Sequence, residues 1–156
     1  MSEPAWRVVL LLAGAFREGV DTLHAELAEQ GHPEARPLHG FALQAVGARG
    51  CTINELGQRL GVSKQAAAKT AAGLEKAGYL AREPVPGDRR AVLLRRTPRA
   101  DDLLAASEAG FEHVAQRWRR ELGAARYDDL VDALTRIAGD GPLGDLPGWL
   151  TQRPSS

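Results

Sequence analysis

The chain has 156 residues, 44% hydrophobic and 26% charged, which suits one globular domain with a real core. Twenty Lys and Arg balance twenty Asp and Glu, which excludes a uniformly basic surface, and the single cysteine excludes an internal disulfide. The basic charge is concentrated instead: Arg59 to Arg99 holds ten basic side chains against three acidic ones, while both flanks are net acidic.

Residues 4–30 read as one amphipathic helix, with Val9, Ala13, Phe16, Val20, Leu23 and Leu27 at three- and four-residue steps. A stripe that regular is expected to pack on other helices. Arg7 to Ala15 also has the look of a secretion signal's apolar stretch. Against that, Glu3 is acidic, the run is short and the stripe continues to Leu27 without a break. Nothing approaches the length of a membrane span, so no membrane partner and a cytoplasmic location are expected. Gly31 to Pro37 is a breaker-rich linker, and Leu38 to Ala48 reads as a second, scaffold helix.

Thr52-Ile53-Asn54-Glu55 is a capping box, followed by Ile53, Leu56 and Leu60 on one helical face and by Gly61 as a left-handed stop. Val62 then plugs a corner before Ser63 caps the next helix, so a two-helix unit with a tight turn is predicted. That next helix is expected over about Lys64 to Ala77, halted by Gly78, with Ala67, Ala71 and Leu74 inward. Its outward face carries Lys64, Gln65, Ala68, Lys69, Ala72 and Lys76, with no acid among them. Such a face suits a phosphate backbone and the floor of a major groove, where Gln65 matches an adenine edge and Ala68 a thymine methyl. A solvated basic face is the plainer alternative.

Tyr79 to Glu83 and Ala91 to Arg95 have strand character, and Pro84 to Arg90 between them reads as a turn. The hairpin tip would present Asp88, Arg89 and Arg90, and a guanidinium there fits a narrow minor groove. A charged tip that serves only solubility is the competing reading. Pro98 suits the first helical position behind Thr97, and a long helix is predicted to about Leu122 with Leu104, Phe111, Val114 and Trp118 inward. Gly123 breaks it. Tyr127, Leu130, Val131, Leu134 and Ile137 define a last helix, and residues 140–156 form a Gly- and Pro-rich tail in which Trp149 and Leu150 offer local anchors.

Several segments in this order resemble the MarR (multiple antibiotic resistance regulator) family: Glu55-Leu56, Leu60 to Ala66, Leu74 to Leu80, Asp88-Arg89-Arg90 and Thr97-Pro98. The resemblance is densest from Leu38 to Pro98 and extends through the flanking helices. It implies a mainly α fold with a small β-hairpin wing, a winged helix-turn-helix flanked by N- and C-terminal dimerisation helices. Residues 1–139 would form a single domain, with 4–30 a dimerisation helix, 38–97 the winged helix-turn-helix and 98–139 further dimerisation helices. The implied function is a sequence-specific transcriptional regulator, a repressor that binds a pseudo-palindromic operator in double-stranded DNA as a homodimer and is released by a small molecule. The implied DNA contacts are Ser63, Lys64, Gln65, Ala68, Lys69, Lys76, Asp88, Arg89 and Arg90, with Arg90 in the minor groove and Asp88 orienting it. A two-fold dimer would set its recognition helices roughly 34 to 36 Å apart, one turn of the duplex. Departures from the family pattern are Arg96 in place of an aliphatic residue, Ala100 in place of a glycine, and Gly73 within an alanine-rich recognition helix.

For an effector, the resemblance suggests a pocket between the N-terminal helix, the Leu38 helix and the winged helix. Trp6, Phe16, Arg17, His39 and Phe41 are the candidates for lining it, and a cation beside rings suits a small aromatic acid or phenol. The alternative makes Phe16 and Phe41 core residues and His39 a helix-start residue. A metal site would draw on His24, His32, His39, Cys51 or His113, but none are spaced at i and i+4 and no Cys-x-x-Cys exists, so no metal and no cofactor are expected. Cys51 precedes a helix cap, which leaves open an oxidant sensor or an inert small residue. Ser63 is accounted for as a cap and no catalytic constellation stands out, so the protein is expected not to be an enzyme. The rival class is a winged-helix module for protein contacts, without specific DNA binding.

Overall fold

Six helices and one antiparallel hairpin form the fold in the computed structural model, which describes residues 4–138. They run in the order α1 (Trp6–Glu29), α2 (Pro37–Val46), α3 (Ile53–Leu60), α4 (Lys64–Lys76), β1 (Leu80–Val85), β2 (Asp88–Arg96), α5 (Pro98–Leu122) and α6 (Ala124–Ala138). The 140–156 tail, with Trp149 and Leu150, lies outside the described residues.

Local chemistry sets the boundaries of α3 and α4. The Thr52 hydroxyl accepts the Glu55 N–H at 3.2 Å while the Glu55 carboxylate accepts the Thr52 N–H at 2.7 Å, closing the capping box. The Thr52 backbone N–H first, and then the Thr52 side chain, hold the Glu55 carboxyl below the usual carboxylate range. Gly61 ends α3 at φ +64°, a left-handed conformation that glycine adopts without penalty. Two residues on, the Ser63 hydroxyl accepts the Ala66 N–H at 3.1 Å and starts α4. Ala67, Ala71 and Leu74 are fully buried, as the four- and three-residue steps require.

These helices pack with α2, α5 and the wing around Leu43, Val46, Leu56, Leu74, Leu94 and Leu103. Cys51 belongs to this core. Its backbone pairs with Leu94 in both directions, at 3.1 and 2.8 Å, and so adds a one-residue third strand to the wing. Gly50 precedes it at φ +79°, where a Cβ would collide with the Leu94 carbonyl. Burial pushes the Cys51 thiol up from its ordinary value, so the structure favours the inert small residue over the oxidant sensor.

The outer helices depart from their predicted packing. On α1 only Gly19, Leu23 and Leu27 are buried, against α5, where a Cβ at Gly110 would collide with Leu23. Val9 and Phe16, expected inward, are exposed, and Trp6, Val8, Leu10, Leu11 and Leu12 are exposed beside them. On α5, Ala100, Leu103, Gly110 and Val114 turn inward, whereas Phe111 is 48% exposed instead of buried. No residue of α6 is buried. The stripes are real, but these parts of them stay largely exposed.

Candidate nucleic-acid interface

The candidate surface is the exposed side of α4 together with the wing. Lys64, Gln65, Lys69 and Lys76 are exposed, Ala68 is half-buried between them, and Ser63 sits at the helix mouth. Acids in the winged helix are already engaged. Glu75 bonds the Arg82 guanidinium at 2.8 Å and Glu83 bonds Arg95 at 2.9 Å. Lys64, Lys69, Lys76, Arg89 and Arg90 make no ion pair among the described residues, so their positive field faces outward uncompensated.

The wing differs from its predicted form. Both strands are longer than expected, β2 beginning at Asp88, and the turn shrinks to Pro86-Gly87, because Pro84, Val85 and Asp88 join the ladder. Register runs from Leu80 opposite Arg96 to Pro84 opposite Val92, then jumps to Val85 opposite Asp88. Arg89, Arg90 and Ala91 therefore have no residue across from them and form a bulge. Both arginines of the bulge are exposed. Asp88 accepts the backbone N–H of Arg90 at 2.9 Å, so it orients the chain at this point and does not grip the guanidinium.

Behind the reading surface lies a joint with no counterpart in the sequence pattern. His32, expected in a linker, is buried, with Nδ1 2.8 Å from the Tyr79 hydroxyl and Nε2 2.8 Å from the Asp102 carboxylate. An ionised carboxylate only accepts, so Nε2 carries the hydrogen, and in the neutral ring Nδ1 accepts from Tyr79. Arg99 sits 4.9 Å over the Tyr79 ring and donates to the carbonyls of Ala77 and Gly31 at 3.1 and 3.2 Å. The end of α1, the end of α4 and the start of α5 are pinned there. Only a contact map could reveal this, since the three segments are far apart in sequence.

A cavity of about 830 Å³ opens between α1, α2 and α5. Of the five residues expected around an effector, Phe41 lines it. Trp6 and Phe16 lie on the exposed half of α1, and Arg17 pairs loosely with Asp21 at 3.8 Å in solvent. His39 instead caps α2, its Nδ1 accepting the Arg36 N–H at 3.2 Å, which is the helix-start role. The residues that sequence reasoning missed are His24, Arg36, Gln44 and Arg96, all lining the cavity. His24 is one helical step beyond Leu23 on the predicted stripe, which was the available signal. Arg96, the departure from an aliphatic residue, reaches Asp101 at 3.1 Å and so keeps its charge compensated. Among the described residues no group of three or more His, Cys, Asp or Glu could hold a metal ion.

Residues 37–91 match the model of the MarR family. In this segment the chain is similar to the MarR family. No curated protein matches the sequence, whereas solved structures match most of it. E. coli MarR in its apo form is 19% identical, with a TM-score of 0.63 over 89% of this chain and 100% of its own. A mutant E. coli MarR complexed with operator DNA, in which a serine replaces a cysteine, is 17% identical, with a TM-score of 0.65 over 88% of this chain and 100% of its own. Bordetella bronchiseptica BpsR, whose DNA binding is regulated by 6-hydroxynicotinic acid, is 19% identical, with a TM-score of 0.63 over 90% of this chain and 100% of its own. At these identities the likeness is one of fold, and it places α1, α5 and α6 as well as the winged helix within the MarR architecture.

Proposed function

We propose that this protein is a MarR-family, sequence-specific DNA-binding transcriptional regulator that acts in the cytoplasm as a homodimer. The observation that carries the reading is the shared exposure of three unpaired α4 lysines and the two bulged wing arginines. Lys64, Lys69 and Lys76 grip phosphates, Gln65 and Ala68 read base edges in the major groove, and Arg90 enters the minor groove beside Arg89. Ser63 brings the α4 N-terminus, with its free N–H groups, against a phosphate, and Asp88 sets the wing backbone. The operator complex of the E. coli MarR mutant supports the same mode here.

The uncovered faces of α1 and α6 supply the dimer. Trp6, Val9, Leu11, Val131 and Ile137 are large, apolar and exposed, and a second copy covers them with least cost because symmetry doubles every contact. Two-fold symmetry of the protein then requires a pseudo-palindromic operator. A dimer seated on such a site near a promoter blocks access to it, so repression is the mode. The cavity between α1, α2 and α5 receives a small aromatic effector, as BpsR's regulation by 6-hydroxynicotinic acid supports. Occupancy that favours a different spacing of the two winged helices releases the DNA.

Selection of bound fragments from the source genome tests this reading. An inverted repeat with half-site centres about 10 base pairs apart is expected. Recovery of fragments without any shared sequence would leave a winged helix that serves protein contacts.

A further inference from the structure

The joint behind α4 is made of directed bonds in a core that is otherwise apolar. His32 is a buried polar side chain, 2% exposed, and both ring nitrogens are engaged, Nδ1 with the Tyr79 hydroxyl and Nε2 with the Asp102 carboxylate, each at 2.8 Å. Its backbone N–H donates to the Leu27 carbonyl at 2.8 Å, which ties the ring to the last turn of α1. Tyr79 is fully buried at the end of α4, where its own N–H returns to the Leu74 carbonyl at 2.8 Å. The start of α5 holds the same point from the other side. Thr97 donates its hydroxyl to the Gly78 carbonyl at 2.6 Å and its N–H to the Tyr79 carbonyl at 3.1 Å. Arg99 joins the Ala77 carbonyl to that of Gly31, closing a clasp across α4 and α1.

Packing places this joint where an angle is decided. α1 lies along α5, whereas α4 packs chiefly on α3 and β1, so the two groups of helices meet at the C-terminal end of α4. Elsewhere the winged helix is linked to α5 by apolar packing around Leu43, Leu94 and Leu103, and by the pair of Arg96 with the exposed Asp101. Apolar contact has no preferred direction, and an exposed ion pair restrains little. Hydrogen bonds weaken steeply off axis, so those of His32 restrict rotation. The lever they control is long: with 13 residues, α4 extends about 20 Å. A rotation of about 10° at its C-terminal end moves Lys64 and Gln65 by about 3.4 Å, the rise of one base pair.

Resting on the dimeric DNA-binding reading above, we propose that His32, through Tyr79, Asp102 and the Arg99 clasp, is a positioning residue that sets which operator spacing the protein accepts. By holding α4 at one angle to α1, it turns a fixed dimer into a fixed distance between two recognition helices. Half-sites at that distance are read together, and a site one base pair longer or shorter is refused. A loosened joint leaves each winged helix able to read its own half-site and lets the pair follow altered spacings. The bonds themselves indicate the variants. Phenylalanine at position 79 fills the same space but leaves His32 Nδ1 buried without its donor, whereas asparagine at position 102 still accepts the Nε2 hydrogen.

Gel-shift titration of the intact protein decides the matter, against the selected operator, the same operator with one base pair added or removed between half-sites, and a single half-site. The wild type should bind the altered spacings about tenfold or more weakly than the operator. In Y79F that ratio should fall several-fold while binding to the single half-site stays as in the wild type. D102N should keep the wild-type ratio. A variant that is merely less stable loses active protein and weakens every duplex by one factor, which leaves the ratio alone. Should circular dichroism show Y79F unfolded, R99A, which opens the clasp from an exposed position, takes its place with the same expectation. A ratio unchanged in the folded variant, a ratio lost in D102N, or a wild type indifferent to spacing would overturn the inference and leave the DNA-binding reading standing. Failure of the wild type to bind any of these duplexes at low salt would remove both.

Discussion

In the winged helix the apolar stripes are covered from within the chain, whereas in the outer helices they are left facing solvent. Leu56, Leu74 and Leu94 are fully buried, yet Val9 is 64% exposed and Ile137 77% exposed. The same helical periodicity produced both sets. What differs is the number of elements available to pack: α3 and α4 are surrounded by α2, the wing and α5, while the first half of α1 and all of α6 project beyond the single core. The lesson is that the winged helix completes its core within one chain, whereas the outer helices leave part of their apolar faces exposed.

Truncation inside the winged helix should have the largest effect. L74A is expected to remove about 2 to 5 kcal/mol of stability, because the pocket between α3, α4 and β1 has no freedom to collapse. Urea unfolding measures it, and a loss as small as that of an exposed site would mean that the winged helix is not the independent core described here. At the outer helices the effect should fall on assembly instead. V9D is expected to weaken the dimer by about 2 kcal/mol or more while leaving helix content unchanged, as seen by sedimentation and circular dichroism. An undisturbed dimer would move the interface elsewhere.

Function divides along the same line. R90A should weaken operator binding by about 1 to 3 kcal/mol if the bulged arginine occupies the minor groove, with the dimer intact. Unchanged affinity in a gel-shift titration would reduce the wing to a soluble hairpin. On α4, Q65A should lower the ratio of operator to random-sequence affinity, and K69A should weaken both and reduce the salt slope by about one unit. A lysine change that alters specificity while Q65A does not would transfer base reading to the lysines.

Acid should produce the smallest and broadest effect. His24 and His39 are held below their ordinary value of 6.5 in the fold, so the unfolded chain takes up their protons first. Their contribution to stability is therefore complete above that value and is lost as pH falls through their folded values. Glu18, with the Trp118 N–H as its leading partner, and Glu55 are held below 4.5, and the same sign operates again in that lower range. Thermal melts that rise steadily as pH is lowered from about 7 to about 5 would contradict this.

Local chemistry made much of this molecule readable from its sequence. The Thr52 to Glu55 box, the Gly61 stop and the Ser63 cap each complete themselves within a few residues, so their bonds stand in the structure as expected. The α4 face followed from periodicity alone. What could not be read depends on distant partners. The burial of His32 needs Tyr79 and Asp102, the wing bulge needs the register of β2 against β1, and the cavity wall needs His24 and Arg36 to be brought together. Phe111 shows the opposite error: its spacing is that of a core residue, but no element among the described residues closes over it.

The central claim, that the unpaired cations of α4 and the wing bind phosphate, is tested most directly by titrating the intact protein against its operator duplex over a range of salt. A linear fall of log K with log salt is expected, with a slope of about 0.9 per phosphate contacted and several contacts per dimer. Affinity that is flat in salt, or no binding to any duplex at low salt, would contradict it.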